Sequence, residues 1–191
     1  MRWLTAQSPQ TQGKMIYKPD VSKKAQYKSM THLYHLIRKI LLSCLLIPGL
    51  VSAMTIGQTV ELGKLETFAG TSYSLPANNS KNTLVMIWAS WCPFCQRQNV
   101  YLEKFVKQVP PNSINIITIS IDKNPKLAKD YMSKHGYTFQ AAMMTPELNK
   151  SFGKVKGVPI VLILDKNNTI IHQEMGEMFE EDFADLKRFA K

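Results

Sequence analysis

Cysteine and histidine are scarce in this chain, three and four among 191 residues. Beyond Ala53 only Cys92, Cys95, His135 and His172 are left. A structural zinc ion usually takes four ligands, and two cysteines with two distant histidines make a poor set for one. Acidic residues are nearly missing from the amino-terminal end: Asp20 alone precedes Met54, against eight Lys and Arg. The rest of the chain has sixteen basic and thirteen acidic residues, so little of the formal charge of +10 belongs to it. The basic excess sits in a leader, and no nucleic-acid partner is expected. Internal repeats and low-complexity tracts are absent.

Nor does any apolar run reach the roughly 20 residues of a spanning helix. The uninterrupted apolar core from Ile40 to Val51 follows Arg38 and Lys39 and ends in Val51-Ser52-Ala53, a small-residue ending of the kind signal peptidase accepts. The expectation is a cleaved secretory signal, with an uncleaved amino-terminal membrane anchor as the alternative. Residues 1–29 are polar and lack apolar periodicity, and Met30 would begin a signal of ordinary length. The organisation expected is therefore an extension and signal over 1–53 and one domain over 54–191, which at 138 residues is long enough for a single core. "LLSC", ending at Cys44, loosely resembles a lipobox, but the apolar run continues through Leu45, Leu46 and Ile47, where a lipid-anchor cysteine normally closes it. Export leads to a compartment in which disulfides persist.

What is present is an alternation of strand and helix patterns. "LVMIWAS", 84–90, is a continuous apolar run suited to a strand buried on both faces. It leads directly into "WCPFC" and a helix pattern with Phe94, Val100 or Tyr101, Leu102, Phe105 and Val109 near helical spacing, stopped by Pro110-Pro111. "INIITISID" reads as a second strand, and "NPKLAKDYMSKHG" as a helix with Leu127, Ala128, Tyr131 and Met132 inward and Gly136 at its end. A short helix follows, with Thr145 as N-cap and Pro146 in its first turn. "VPIVLILD" and "TIIHQEM" flank Lys166-Asn167-Asn168 as a hairpin, and Phe179, Phe183, Leu186 and Ala190 mark a last amphipathic helix. Two short strands about Ala69-Gly70 come first. The pattern predicts an α/β fold, a mixed central β-sheet flanked by helices with an N-terminal β-hairpin, and active residues where central strands end.

A Cys-x-x-Cys pair on the first turn of a helix has Cα atoms about 5.5 Å apart, a separation a disulfide tolerates. A sulfur at a helix start meets free N–H groups and the positive end of the macrodipole, which favour the thiolate, the attacking form. Pro93 fits the first helical position because its missing N–H would go unused there. Cys92 is thus the expected nucleophile, and Cys95, one turn inside the helix, the more buried sulfur that resolves a mixed disulfide.

"WASWCPFC", the strand "LVMIWA" before it and "GVP" at 157–159 resemble the thioredoxin superfamily, specifically TlpA/ResA-like exported thiol-disulfide oxidoreductases, over nearly all of 54–191. The resemblance implies a thioredoxin-like fold, a periplasmic location, a cis Pro159 facing the cysteines, and Val158 offering backbone groups to an extended substrate. It also implies no cofactor, protein disulfide substrates such as apocytochrome c or other exported proteins, and a membrane thiol donor of the DsbD/CcdA kind. A monomer is expected, since no dimerisation domain is evident. Reduction is the favoured direction, with oxidase or isomerase as the alternative. Two departures stand out: thioredoxins carry a buried Asp where this chain has Met86, and many TlpA/ResA-like reductases carry a Glu where it has Gln98.

The remaining suggestive residues have simpler readings. Ten Met residues raise copper transfer in the style of Sco carriers, which would pair the two cysteines with a distant histidine such as His172, but those carriers place three residues between their cysteines, and Met86, Met132 and Met143 fall in core patterns. Trp88 reads as core and Trp91 as an aromatic packed beside the active site. His135 reads as a solvent-facing helix end, and His172 as structural. Lys150, Lys154 and Lys156 read as a solvated face, as does the acidic run from Glu174 to Asp185.

Overall fold

A computed structural model describes residues 33, 34, 37, 38, 54–75 and 79–191. The chain divides into two compact units, Met1–Leu50 and Val51–Lys191. Of the first, Leu33, Tyr34, Ile37 and Arg38 are helical and exposed, and the expected signal core and Cys44 lie outside the described residues. Everything below concerns the second unit.

Its centre is the strand β3 (Thr83–Trp88), every residue of which is buried. Such a strand must be covered on both faces, and its uninterrupted apolar composition suits that position. It pairs in parallel with β4 (Asn115–Ser120) and antiparallel with β6 (Ile160–Leu164). Outside these lie β5 (Ala141–Met143), parallel to β4, and β7 (Ile170–Met175), antiparallel to β6. The sheet order is β5-β4-β3-β6-β7, a mixed sheet as the pattern predicted. Ahead of it, β1 (Leu65–Glu66) and β2 (Ser72–Tyr73) form the small antiparallel hairpin, with a bridge from Thr67 to Ala142 beside β5.

Alternate residues of β3 face opposite ways. Leu84, Met86 and Trp88 join a core with α1 (Pro93–Gln108), α2 (Pro125–His135) and α4 (Glu180–Leu186) through Cys95, Leu102, Phe105, Ala128, Met132, Phe183 and Leu186. Val85 and Ile87 join the other core, with Leu148 and Phe152 of α3 (Pro146–Phe152) and with Val60, Leu62 and Leu65. Thr145 caps α3 by accepting from the Leu148 N–H, and Gly136 ends α2 in the left-handed conformation at φ 64°, both where the sequence placed them.

Three details differ from the sequence reading. The buried face of α1 consists of Cys95, Gln98, Asn99, Leu102, Glu103 and Phe105, while Phe94 and Val100 are exposed. Leu127 on α2 is exposed as well. Phe179 is an exposed residue at the start of α4, and the helix ends at Leu186 in a 3-10 turn, Lys187–Phe189. In each case apolar residues flank the true stripe, so spacing alone assigned them to the wrong side. Strand β5 went unread because "AAM" is too short to carry a pattern.

Candidate functional site

Parallel pairing of β3 with β4 places Trp88 opposite Ser120, so both strands end side by side. The chain leaving β3 is held there by Asp122, which is 4% exposed. Its Oδ2 accepts from the Ser90 backbone N–H at 2.9 Å and from Ser120 Oγ at 2.7 Å, and its Oδ1 accepts from Ser90 Oγ at 2.6 Å. Two residues further on, Cys92 is the N-cap of α1, with Pro93 at the first helical position. The Cys92 Sγ accepts from the Cys95 N–H at 3.3 Å, taking a place normally held by a Ser, Thr or Asp oxygen. The Cys92 thiol also faces the Val158 carbonyl at 3.6 Å.

That carbonyl precedes a cis Val158–Pro159 bond, as expected. The Pro159 oxygen accepts from the Gly176 N–H at 2.9 Å, which ties the loop to the end of β7. Cys92 and Cys95 are both free thiols, 3% and 0% exposed, so the resolving candidate is the deeper one. Burial pushes the Cys95 thiol far up, and its hydrogen bond with Cys92 adds to the shift.

The two positions where carboxylates were missing turn out to touch. Gln98 Nε2 lies 3.6 Å from Met86 Sδ, and Gln98 Oε1 accepts from the Met178 N–H at 2.7 Å. Both side chains are fully buried. A neutral amide therefore bridges β3 and the segment between β7 and α4, one turn along α1 from Cys95. Asn99, next along, is also fully buried, and neither of its amide atoms has a partner.

Around the sulfurs the surface is aromatic. Trp91 is 64% exposed and Phe94 51%, so Trp91 stands out from the site instead of packing into it. The Arg97 guanidinium lies 5.1 Å from the Phe94 ring centre and binds Glu177 through two contacts, 2.6 and 2.5 Å. Arg97 holds the Glu177 carboxyl below the usual carboxylate range. The histidines stand elsewhere: His135 stacks on Tyr137, and His172, midway along β7, packs on Phe189 with Nε2 3.3 Å from Glu174. Among the described residues no cluster of three His, Cys, Asp or Glu is placed to hold a metal, and no helix is long and apolar enough to cross a membrane.

Sequence reasoning singled out Trp91, Cys92, Pro93, Phe94, Cys95, Val158 and Pro159, and the fold brings them to one edge. It missed Ser90 and Asp122, which steer the chain into the helix. Their signal was a hydroxyl two residues before the first cysteine and a lone Asp closing the "ITISID" strand.

A cysteine capping a helix and a second one turn inside it, beside a cis proline at the end of a central strand, make a candidate thioredoxin-type redox site. The Redoxin family model matches residues 55–189, and the chain belongs to that family. It is a TlpA/ResA-like member of the thioredoxin superfamily. Sporulation thiol-disulfide oxidoreductase A of Bacillus subtilis (strain 168) is 23% identical over 125 residues, 63% of this chain and 74% of that one. Thiol:disulfide interchange protein DsbE of Vibrio cholerae is 24% identical over 135 residues, 69% of this chain and 71% of its own. Among solved structures, StoA from Bacillus subtilis matches with a TM-score of 0.59 at 23% identity, covering 68% of this chain and 96% of that one. A thioredoxin family thiol:disulfide interchange protein from Chlorobium tepidum TLS matches with a TM-score of 0.63 at 21% identity, covering 73% and 99%.

Proposed function

We propose that this protein reduces disulfides in exported proteins through Cys92 and Cys95. The observation that carries the reading is the sulfur of Cys92 at the start of α1, held between the Cys95 N–H and the Val158 carbonyl. The Cys92 thiolate attacks a substrate disulfide, forming a mixed disulfide and expelling one substrate thiolate. Cys95 then gives up its proton and attacks the Cys92 sulfur, forming the Cys92–Cys95 disulfide and expelling the second substrate thiolate. The substrate gains two electrons and, once its thiolates are protonated, two protons. The protein loses two electrons and the Cys95 proton, and the second proton comes from solvent, which took it up when Cys92 ionised. Val158 and Pro159 face the incoming strand, Pro93 shapes the helix start, and Trp91 and Phe94 supply apolar contact around the sulfur.

The working form is the domain over 54–191, released into the periplasm after removal of the leader over 1–53 and acting as a monomer. A membrane thiol donor re-reduces it, and apocytochrome c is among the candidate substrates. The opposite direction, oxidation or isomerisation, has one observation in its favour. The neutral Met86–Gln98 pair leaves the buried Cys95 thiol without an adjoining carboxylate at either position, which handicaps its deprotonation. Trapping tests the roles: Cys95→Ser should accumulate a mixed disulfide through Cys92, detectable by mass spectrometry. Trapping through Cys95 by Cys92→Ser, and not the reverse, would overturn the assignment.

A further inference from the structure

At the ends of β4 and β5, lined by neither cysteine, lies an open groove of about 430 Å³ that the mechanism above does not use. Its apolar lining is Ile121, Met144, Pro146 and Val155, with Asp122 and Asn149 among the polar members. Both segments that hold Cys92 contribute to it. Asp122 is the residue that anchors Ser90, and Val155 lies three residues before the Val158 carbonyl that faces the Cys92 sulfur. Three residues of extended chain span about 10 Å, so a chain bound at the sulfur can reach this groove within a few residues.

The rim is positively charged. Lys123 follows Asp122, Lys150 follows Asn149, and Lys154 and Lys156 flank Val155, and all four are exposed. None of them takes part in an ion pair among the described residues. By the same count the groove has two carboxylates. Asp122 is sealed by three donors from Ser90 and Ser120, and Glu147 stands in the first turn of α3. Two charges of excess remain. On the far side of the cis proline the charges are paired instead, Arg97 with Glu177 and Lys104 with Glu180, and Glu174 lies against His172. Unpaired charges of one sign beside an apolar trough select a partner of opposite sign and speed its arrival more than they tighten its grip.

Building on the redox reading above, we infer that the groove receives the segment of the substrate protein flanking its target disulfide, with an apolar side chain in the trough and carboxylates against the lysine rim. Substrates of this protein are then acidic next to the reacting cysteine.

The test uses the reduced protein and three synthetic peptides with the same internal disulfide, followed by Leu-Glu-Glu, Leu-Gln-Gln or Leu-Lys-Lys. Hydroxyethyl disulfide serves as an uncharged small substrate. The acidic peptide should oxidise the protein about tenfold faster than the basic one at low ionic strength, within the span that electrostatic steering covers. The ratio should shrink towards one in high salt as screening sets in. The triple variant Lys150→Glu, Lys154→Glu, Lys156→Glu should reverse the preference while keeping its rate with hydroxyethyl disulfide, which also shows that it is folded. Equal rates for the three peptides, or a preference that survives the reversal, would overturn the inference and leave the redox reading intact. No reaction with any of the four disulfides would overturn both.

Discussion

Substituting Asp122 tests how the site is held, because three donors converge on one carboxylate with almost no access to water. In Asp122→Ala the two hydroxyls can rotate to other partners, but the Ser90 backbone N–H cannot. One buried unsatisfied donor costs about 1–3 kcal/mol, and each hydrogen bond to a charged acceptor contributes about 1.5–3 kcal/mol, offset by relief of carboxylate burial. A net loss of about 3 kcal/mol is expected. Asp122→Asn keeps one oxygen for the Ser90 N–H and Ser120 Oγ and turns the other contact into a donor that Ser90 Oγ can accept, so about 1 kcal/mol suffices. With a urea slope of about 2 kcal/mol/M the two variants separate by about 1 M in midpoint. Urea unfolding of the reduced proteins measures this, alongside the second-order rate with hydroxyethyl disulfide, which should fall in the same order. An alanine variant within 0.5 kcal/mol of the parent, or indistinguishable from the asparagine variant, would refute the clamp.

Other outcomes follow from the same geometry. Since burial raises the Cys95 thiol, Cys92→Ser should resist iodoacetamide up to about pH 9, whereas Cys95→Ser should be alkylated readily; rapid labelling of the first variant near neutrality would contradict the assignment. Burial alone would raise the Glu103 carboxyl, but the Thr138 N–H and hydroxyl together with Lys107 outweigh it and hold it low. Its folded-state pKa lies below the unfolded value of about 4.3, so its contribution is complete above that pH and is lost as pH falls through the folded value. Glu103→Gln should therefore flatten the acid side of the stability profile below about pH 4.5 and leave the alkaline side unchanged, as thermal melts across pH can show. Trp88→Phe removes the buried indole N–H that donates to Thr118 Oγ at 3.1 Å and should cost about 1–2 kcal/mol in the same urea assay.

The parts of the fold legible in the sequence were those with one dominant physical signal. An uninterrupted apolar run announced β3, and capping chemistry at Thr145 and Gly136 placed the ends of α3 and α2. The redox pair was legible because a helix start, a proline and two cysteines agree on one geometry. What stayed hidden depends on contacts between segments far apart in the chain. Nothing local announces that Gln98 and Met86 meet, or that Asp122 reaches back thirty-two positions to Ser90. The inward face of α1 was misread for a related reason. It is partly polar, with Gln98 spent on Met178 and Glu103 on Thr138, so a search for apolar spacing favoured Phe94 and Val100 instead.

The central claim, a reducing Cys92–Cys95 couple, is tested most directly by its reduction potential. The full-length protein is equilibrated with thiol buffers, and oxidation is followed through the fluorescence of Trp91 beside Cys92. The account predicts a value near that of thioredoxin, about −270 mV or lower. A value near about −120 mV would mark a strong oxidant and contradict the direction proposed, and the lack of any reversible internal disulfide would contradict the redox site itself.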